Sequence, residues 1–186
     1  MEARKIIQAD FIREVEGFIK CGTHGIIYGI ADSPYTQVHR KTQVDEGVCD
    51  GLGYDIIELY HNGGTLVLNQ GDFVTGHFGE PENDWHDRFM THLVDWLKAK
   101  GLNAELVGND VLVDGYKVSA YCVTRYGRID YTGVFIGINT HLDDIKAICR
   151  KPMKKVPKGL SEYGITSEEV EKMFLEFCEQ DKQAKA

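Results

Sequence analysis

Two periodicities of apolar residues run along the chain, and together they predict a mixture of helices and strands. Apolar residues spaced three and four positions apart, as at Phe11, Val15 and Phe18, are typical of an amphipathic helix. The helical pattern covers residues 9–20, 85–100 and 141–149, and a last helix begins at Thr166 or Ser167. Short runs of β-branched and aromatic residues predict strands at residues 23–30, 55–60, 65–68, 72–78 and 130–139.

Two further β-rich runs, residues 105–113 and 116–124, flank the dipeptide Asp114-Gly115. An Asp-Gly pair between such runs predicts a tight hairpin turn. Residues 34–53 are polar and end in glycines, which predicts a loop with at most one helical turn. Because the strands come in clusters, the order predicts an α+β domain with a mostly antiparallel or mixed sheet flanked by helices.

Composition narrows the class of protein. A length of 186 residues with 42% apolar content predicts one domain, 1–186, with a mobile tail at 181–186. The net charge of −8 argues against a nucleic-acid surface, and neither a membrane span nor a secretory signal is apparent. The five cysteines form no Cys-x-x-Cys pair, so we expect no structural metal and a cytoplasmic protein with reduced thiols.

A lysine near the start of an apolar strand is the first candidate for chemistry. Lys117 follows the Asp114-Gly115 turn, where it can hold a fixed positive charge over a pocket. Asn109-Asp110 precedes it, and the carboxylate suits a magnesium ion or a ribose hydroxyl. The alternative is that this pair occupies a turn or bulge while Lys117 points into water.

Two glycine motifs permit a ligand to approach the backbone closely. Gly63-Gly64 separates two predicted strands, and Thr132-Gly133 begins a buried strand. A simple turn and simple sheet packing are the respective alternatives.

The order and spacing of these motifs resemble the catalytic domain shared by lipoate–protein ligases, octanoyltransferases and biotin–protein ligases. The resemblance rests on motifs that follow one another in family order: Asn62-Gly63-Gly64-Thr65, Asn69-x-Gly71-Asp72, Gly108-Asn109-Asp110, Lys117-Val118-Ser119-Ala120 and the run from 133 to 142. It implies a ligase-like fold without a C-terminal accessory domain.

The resemblance also implies an activity. Lipoate, octanoate or a similar small carboxylate would be activated as an adenylate with ATP and Mg²⁺, then transferred to a lysine of a lipoyl- or biotinyl-type carrier domain. Lys117 would contact the acyl carbonyl and the α-phosphate, and Asp110 would be the magnesium contact. The implied substrate- and nucleotide-binding residues are His61, Asn62, Gly63, Gly64, Thr65, Asn69, Asn109, Asp110, Ser119, Thr132 and Gly133.

Departures from the family pattern keep other interpretations open. Residues 58–61 contain no arginine, although ligases carry a pair there and octanoyltransferases carry one. A catalytically degenerate binding or regulatory protein is therefore one alternative. An acyl-carrier-dependent octanoyl or lipoyl transferase is another, with Cys149 as its nucleophile. The basic segment 150–158 is expected to be a solvated loop or to dock an acidic carrier domain.

Overall fold

The computed structural model describes residues 2–184, in which ten strands and five α-helices are present. The strands are β1 (Ala3–Lys5), β2 (Gly25–Ile30), β3 (Tyr35–Val38), β4 (Asp55–Glu58), β5 (Leu66–Leu68), β6 (Phe73–Gly79), β7 (Ala104–Val107), β8 (Asp110–Val113), β9 (Tyr116–Tyr126) and β10 (Ile129–Ile136). The helices are α1 (Gln8–Cys21), α2 (Glu46–Leu52), α3 (Trp85–Ala99), α4 (Leu142–Ile148) and α5 (Ser167–Ala184). Two short 3₁₀ helices lie at Lys41–Gln43 and Leu160–Tyr163.

The strands form a seven-stranded sheet and a three-stranded sheet. The large sheet has the order β1-β2-β6-β10-β9-β8-β7. Its adjacent strands are antiparallel, except that β1 and β2 are parallel. In the small sheet, β3 is parallel to β4 and antiparallel to β5. The predicted α+β class with a mixed sheet flanked by helices is confirmed.

One face of the large sheet is covered by α3 and α5. The predicted apolar stripe of α3 is buried at Phe89, Leu93 and Leu97, and it packs with Phe174 and Phe177 of α5. The stripe forms because residues three to four apart share one side of a helix. This core covers the face of the large sheet that points away from the small sheet.

The other face of the large sheet carries α1 and the small sheet. Phe11 and Val15 of α1 pack with Tyr131 of β10 and with Tyr35 and Leu68 of the small sheet. Behind the small sheet, a third cluster joins it to α2 and α4. The space between the two sheets is therefore walled by apolar side chains.

Residues 34–53 are not the predicted loop, since they contain β3, a 3₁₀ helix and α2. The four residues of β3 are all buried, although Thr36 and Gln37 are polar. A central strand of a small sheet is enclosed by its neighbours, so its burial is not visible in its own sequence. Asp45 begins α2 by accepting a hydrogen bond from Val48 N at 3.1 Å.

The predicted run 105–113 is two strands, β7 and β8, that turn at Gly108-Asn109. Gly108 has φ +66°, a conformation that favours glycine. The predicted hairpin at Asp114-Gly115 is present, with positive φ at both residues as a type I′ turn requires. The sheet edge is therefore a three-stranded meander.

The last helix begins as its sequence predicts. Thr166 Oγ1 accepts from Glu169 N at 3.3 Å, and Glu169 Oε2 accepts from Thr166 N at 3.0 Å, which is a reciprocal capping box. Of the tail predicted to be mobile, residues 181–184 continue α5, and residues 185–186 lie outside the described residues. No helix among residues 2–184 is both long enough and apolar enough to cross a membrane.

Candidate functional site

A cavity of about 610 Å³ lies between the two sheets. Its apolar walls include Phe11 of α1, Leu66 and Val67 of β5, and Tyr131 and Phe135 of β10. Such a space is large enough for a small ligand with an aliphatic chain. The polar residues of the cavity gather in residues 61–65, called the glycine loop below, in the β7–β9 meander, and in the segment 150–158 that follows α4.

Lys117 and Asp110 face each other because of the strand register. Leu112 pairs with Lys117 and Asp110 pairs with Ala120, with a bulge between Val111 and Leu112. Asp110 and Leu112 are two residues apart, so their side chains share one face of the strand, and Lys117 shares it as the partner of Leu112. Lys117 Nζ lies 2.8 Å from Asp110 Oδ1.

A second lysine completes this cluster. Lys155 Nζ lies 2.8 Å from Asp110 Oδ2 and donates to Val107 O at 3.0 Å. The Asp110 side chain is 13% exposed. Burial raises its pKa, but hydrogen bonds and charge from Lys117 and Lys155 outweigh burial, so the pKa lies below its usual value. Two ammonium groups therefore contact one carboxylate at the polar end of the cavity.

The backbone of Lys117 is clamped by the segment that carries Lys155. Lys117 N donates to Val156 O at 2.9 Å, and Lys158 N donates to Lys117 O at 3.0 Å. The other end of the segment is fixed by Arg150 N, which donates to Gln43 O at 3.1 Å. The basic segment is a largely exposed loop, and both of its ends are hydrogen-bonded beside the cavity.

The glycine loop is hydrogen-bonded to β9. Asn62 N donates to Thr124 Oγ1 at 2.9 Å, and Asn62 Nδ2 donates to Val123 O at 3.1 Å. A Cβ on Gly63 would lie 3.0 Å from His61 Nδ1 and 3.2 Å from Cys122 Cβ, whereas one on Gly64 would meet nothing within 4 Å. The close approach of the loop to β9 therefore favours glycine at 63, whereas position 64 has open space.

His61 is a neutral side chain in this loop. Gly63 N donates to His61 Nδ1 at 3.0 Å, so the ring proton belongs on Nε2. Burial lowers the pKa of His61, and the nearby His39 lowers it further. A neutral imidazole does not supply the positive charge of the absent arginine.

The structure brings together most of the predicted site residues. The cavity is lined by Lys117 together with His61, Asn62, Gly63, Gly64, Thr65, Asn109, Asp110, Gly133 and Cys149. Asn109 also has a positioning role, because its Nδ2 donates to Tyr121 O at 2.8 Å and ties the meander together.

Three predicted site residues lie elsewhere. Gly133 lines the cavity, so its neighbour Thr132 faces the α3 side of the sheet, where it is fully buried. The same alternation places Ser119 behind Ala120, and Ser119 Oγ donates to Phe135 O at 2.6 Å. Asn69 is buried at the β5–β6 turn, where its Oδ1 accepts from Tyr54 Oη at 2.5 Å.

The cavity contains two thiols, and neither has the environment of a nucleophile. Burial raises the pKa of Cys149, with a further contribution from Cys49. Burial also raises the pKa of Cys122, which lies beside Gly63. Reactive cysteines have a lowered pKa, so the predicted role of Cys149 gains no electrostatic support.

The surroundings of Asp110 do not fit the predicted magnesium contact. Both carboxylate oxygens already contact ammonium groups at 2.8 Å. Within residues 2–184, no group of three or more His, Cys, Asp or Glu side chains is placed to hold a metal ion. Paired lysines suit an anion such as a phosphate, and Asp110 contacts both of them.

Several cavity residues were not among the predicted site residues. Lys151, Lys154 and Lys155 follow α4 and line the cavity beside Lys117. The basic composition of segment 150–158 was the available signal, but nothing local to it indicates that it pairs with β9. Gln37 also lines the cavity, from a strand that the sequence pattern missed.

The family of the protein follows from comparison with known sequences. The model of the lipoyl protein ligase A/B catalytic domain matches residues 24–178. The chain therefore belongs to this family, as the resemblance in its motifs predicts. A search of proteins with curated functions finds no match.

Solved structures share the fold at low sequence identity. A bi-partite lipoate protein ligase from Thermoplasma acidophilum, studied with its E2 lipoyl domain, has a TM-score of 0.77 at 13% identity, over 95% of this chain and 82% of that chain. A lipoate–protein ligase A bound with ATP has a TM-score of 0.76 at 15% identity, over 95% and 84%. A variant of the Aquifex aeolicus biotin protein ligase, in complex with biotin, has a TM-score of 0.56 at 15% identity, over 98% and 70%. The chain thus has the lipoate and biotin ligase catalytic fold.

Proposed function

We propose that the protein activates lipoate, octanoate or a similar carboxylate as an acyl-adenylate and transfers the acyl group to a lysine of a carrier domain. One observation carries the proposal: Lys117 and Lys155 share Asp110 at the polar end of an apolar cavity. The similar structures support it, since one ligase holds ATP and another was studied with its E2 lipoyl domain.

The acyl chain would occupy the space between the sheets, against Phe11, Leu66 and Tyr131. Burial of one methylene contributes about 0.8 kcal/mol, so six methylenes contribute about 5 kcal/mol. That is sufficient to select an acid with a chain of about this length over a short-chain acid. The carboxylate would then lie at the polar end, next to the lysines.

The two lysines would act on the charges that develop during activation. A carboxylate oxygen attacks the α-phosphorus of ATP, and pyrophosphate leaves with the electrons of the broken P–O bond. Lys117 and Lys155 would neutralise the phosphate oxygens, while Asp110 keeps both ammonium groups oriented before the ligand arrives. Gly63 would let the backbone of the loop approach the phosphate closely.

Transfer would use the same cluster. The amine of the carrier lysine attacks the acyl carbonyl, an amide bond forms, and AMP leaves. Lys117 would stabilise the oxyanion on the carbonyl oxygen, which carries full negative charge only in the tetrahedral intermediate. The cations missing from residues 58–61 would be replaced by Lys151 and Lys154, which line the cavity from the segment after α4.

The test is pyrophosphate release by the purified protein with ATP and magnesium salt, with lipoate, octanoate and biotin compared. We expect release with lipoate or octanoate and a loss of at least 100-fold in the Lys117→Met variant, the range typical of losing one oxyanion-stabilising group. Lys98→Met on α3 is the matched control, because this exposed lysine lies on the opposite face of the sheet.

Other outcomes would identify the alternatives. Acyl transfer from an acylated carrier protein without ATP, abolished by Cys149→Ser, would favour the octanoyltransferase chemistry. Thermal stabilisation by a carboxylate, without pyrophosphate release and without any acylated carrier in mass spectrometry, would favour a binding or regulatory protein. Either result would contradict the proposed ligase reaction.

A further inference from the structure

We propose that a basic ridge formed by Arg40, Lys41 and Arg150 is the docking surface for an acidic carrier domain. This inference rests on the proposed function and specifies where the partner of that reaction binds. The ridge lies at the edge of the cavity, and its three side chains are not among those that the proposed chemistry uses.

Backbone hydrogen bonds bring the three residues together. Arg150 N donates to Gln43 O at 3.1 Å, and Asp45 N donates to Ile148 O at 2.9 Å, so the turn that contains Arg40 and Lys41 adjoins the end of α4. Gln43 Oε1 accepts from Arg40 N at 3.0 Å and from His39 N at 2.8 Å, which fixes the turn. Gln43 also lines the cavity, and it therefore locates the ridge at the cavity edge.

The charge of the ridge is opposite to that of the whole chain. Arg40, Lys41 and Arg150 are exposed on a protein of net charge −8. The ion pairs among residues 2–184 use other cations, such as Lys117, Arg125 and Lys155. Glu58 accepts from the backbone N of Lys41 at 2.9 Å and, in the part of the chain that the structure describes, forms no ion pair with the three side chains of the ridge. The three side chains are thus available to an acidic partner.

Exposed apolar groups flank the ridge and the cavity. Tyr60 is 57% exposed, and its ring lies 4.9 Å from that of His39, the residue before Arg40. Val156 is 47% exposed beside Lys117. Protein interfaces are enriched in Tyr and Arg, and these residues supply much of the binding energy. Among residues 2–184, both side chains thus keep about half of their surface open to solvent.

The ligand that fits this surface is a folded acidic domain. Acyl transfer requires a partner lysine to reach Lys117 through the cavity opening, so the partner must lie over the adjoining surface. A local basic ridge would steer a negative domain and orient it before contact. A nucleic acid is the other polyanion with this chemistry, but the net charge of −8 would repel an extended phosphate backbone.

The experiment measures affinity for a negatively charged lipoyl domain that carries its unmodified acceptor lysine. The test variant combines Arg40→Glu, Lys41→Glu and Arg150→Glu. The control reverses three exposed lysines on α3 and α5, Lys98→Glu, Lys172→Glu and Lys182→Glu, and has the same net charge. Titration calorimetry at about 20 and 200 mM salt follows binding, since salt screens exposed charges.

We expect the ridge variant to bind the lipoyl domain at least tenfold more weakly than the control, with little remaining salt dependence. Pyrophosphate release in the absence of carrier should remain within about twofold of wild type for both variants, because the ridge residues do not line the cavity. Equal affinity of the two variants would overturn the proposal, as would tighter binding of a random oligonucleotide by the wild type. Carrier binding and pyrophosphate release are measured separately. If no protein releases pyrophosphate but the ridge variant still loses carrier binding, the ligase reaction fails and the docking surface is supported.

Discussion

Replacing Asp110 with asparagine keeps the shape of the side chain and removes the charge that holds two lysines together. At 2.8 Å, each ion pair has an attraction of about 6 kcal/mol at an effective dielectric constant of about 20. Desolvation and side-chain ordering offset most of that attraction. Removing one partner costs about 3–5 kcal/mol for a fully buried pair and up to about 1 kcal/mol for an exposed one.

The free energy of unfolding that is lost on replacing Asp110 should lie between those limits. Its side chain is 13% exposed, while Lys117 and Lys155 are each 29% exposed. We therefore expect Asp110→Asn to lower the free energy of unfolding by about 2 kcal/mol at pH 7. The double variant Asp110→Asn/Lys155→Met should lose less than the sum of its single variants, because an uncompensated cation has been removed with the acid.

The pH dependence gives an independent check. The pKa of Asp110 is lowered in the folded protein, so the stability that the ionised carboxylate contributes is complete above its unfolded value, about 4, and is lost as the pH falls through the lower folded value. The difference between wild type and Asp110→Asn should therefore shrink below about pH 4. Urea unfolding followed by circular dichroism at pH 3 to 7 measures it. A pH-independent difference, or additive losses from the single variants, would contradict an electrostatic contribution of Asp110 to stability.

Two other predictions concern the glycine loop. Gly63→Ala should lower stability by about 1 kcal/mol, because the added Cβ would lie 3.0 Å from His61 Nδ1 and 3.2 Å from Cys122 Cβ, whereas Gly64→Ala should change it little because its Cβ would meet nothing within 4 Å. Thermal unfolding of both variants compares them, and equal losses would contradict the geometry. The pKa of His61 is lowered by burial, so nitrogen-detected NMR should find a neutral ring with its proton on Nε2 at pH 7 and protonation only below the usual range. Stability from the buried neutral ring is complete above about pH 6.5 and is lost on further acidification, and a ring already charged at pH 7 would exclude this account.

Most helices of the fold could be predicted from the sequence because their signals are local. The period of α3, the capping box of Thr166 and Glu169, and the turn at Asp114-Gly115 each depend on residues a few positions apart. The small sheet could not be predicted in the same way. Its central strand β3 contains buried polar residues and is defined by pairing with β4 and β5, which lie about 20 to 30 residues away in the chain.

The same difference between local signals and long-range pairing applies to the residues of the site. Lys117, the glycine loop and the family could be predicted from the sequence, because each is indicated by short motifs whose residues are neighbours in the chain. The sequence did not predict that Lys155 joins Lys117 in contacting Asp110, or that Thr132 and Ser119 face away from the cavity. These contacts depend on the folded chain, because the partners of Asp110 are set by strand register and by a backbone pairing between Lys117 and the segment near Val156, 39 residues further along the chain.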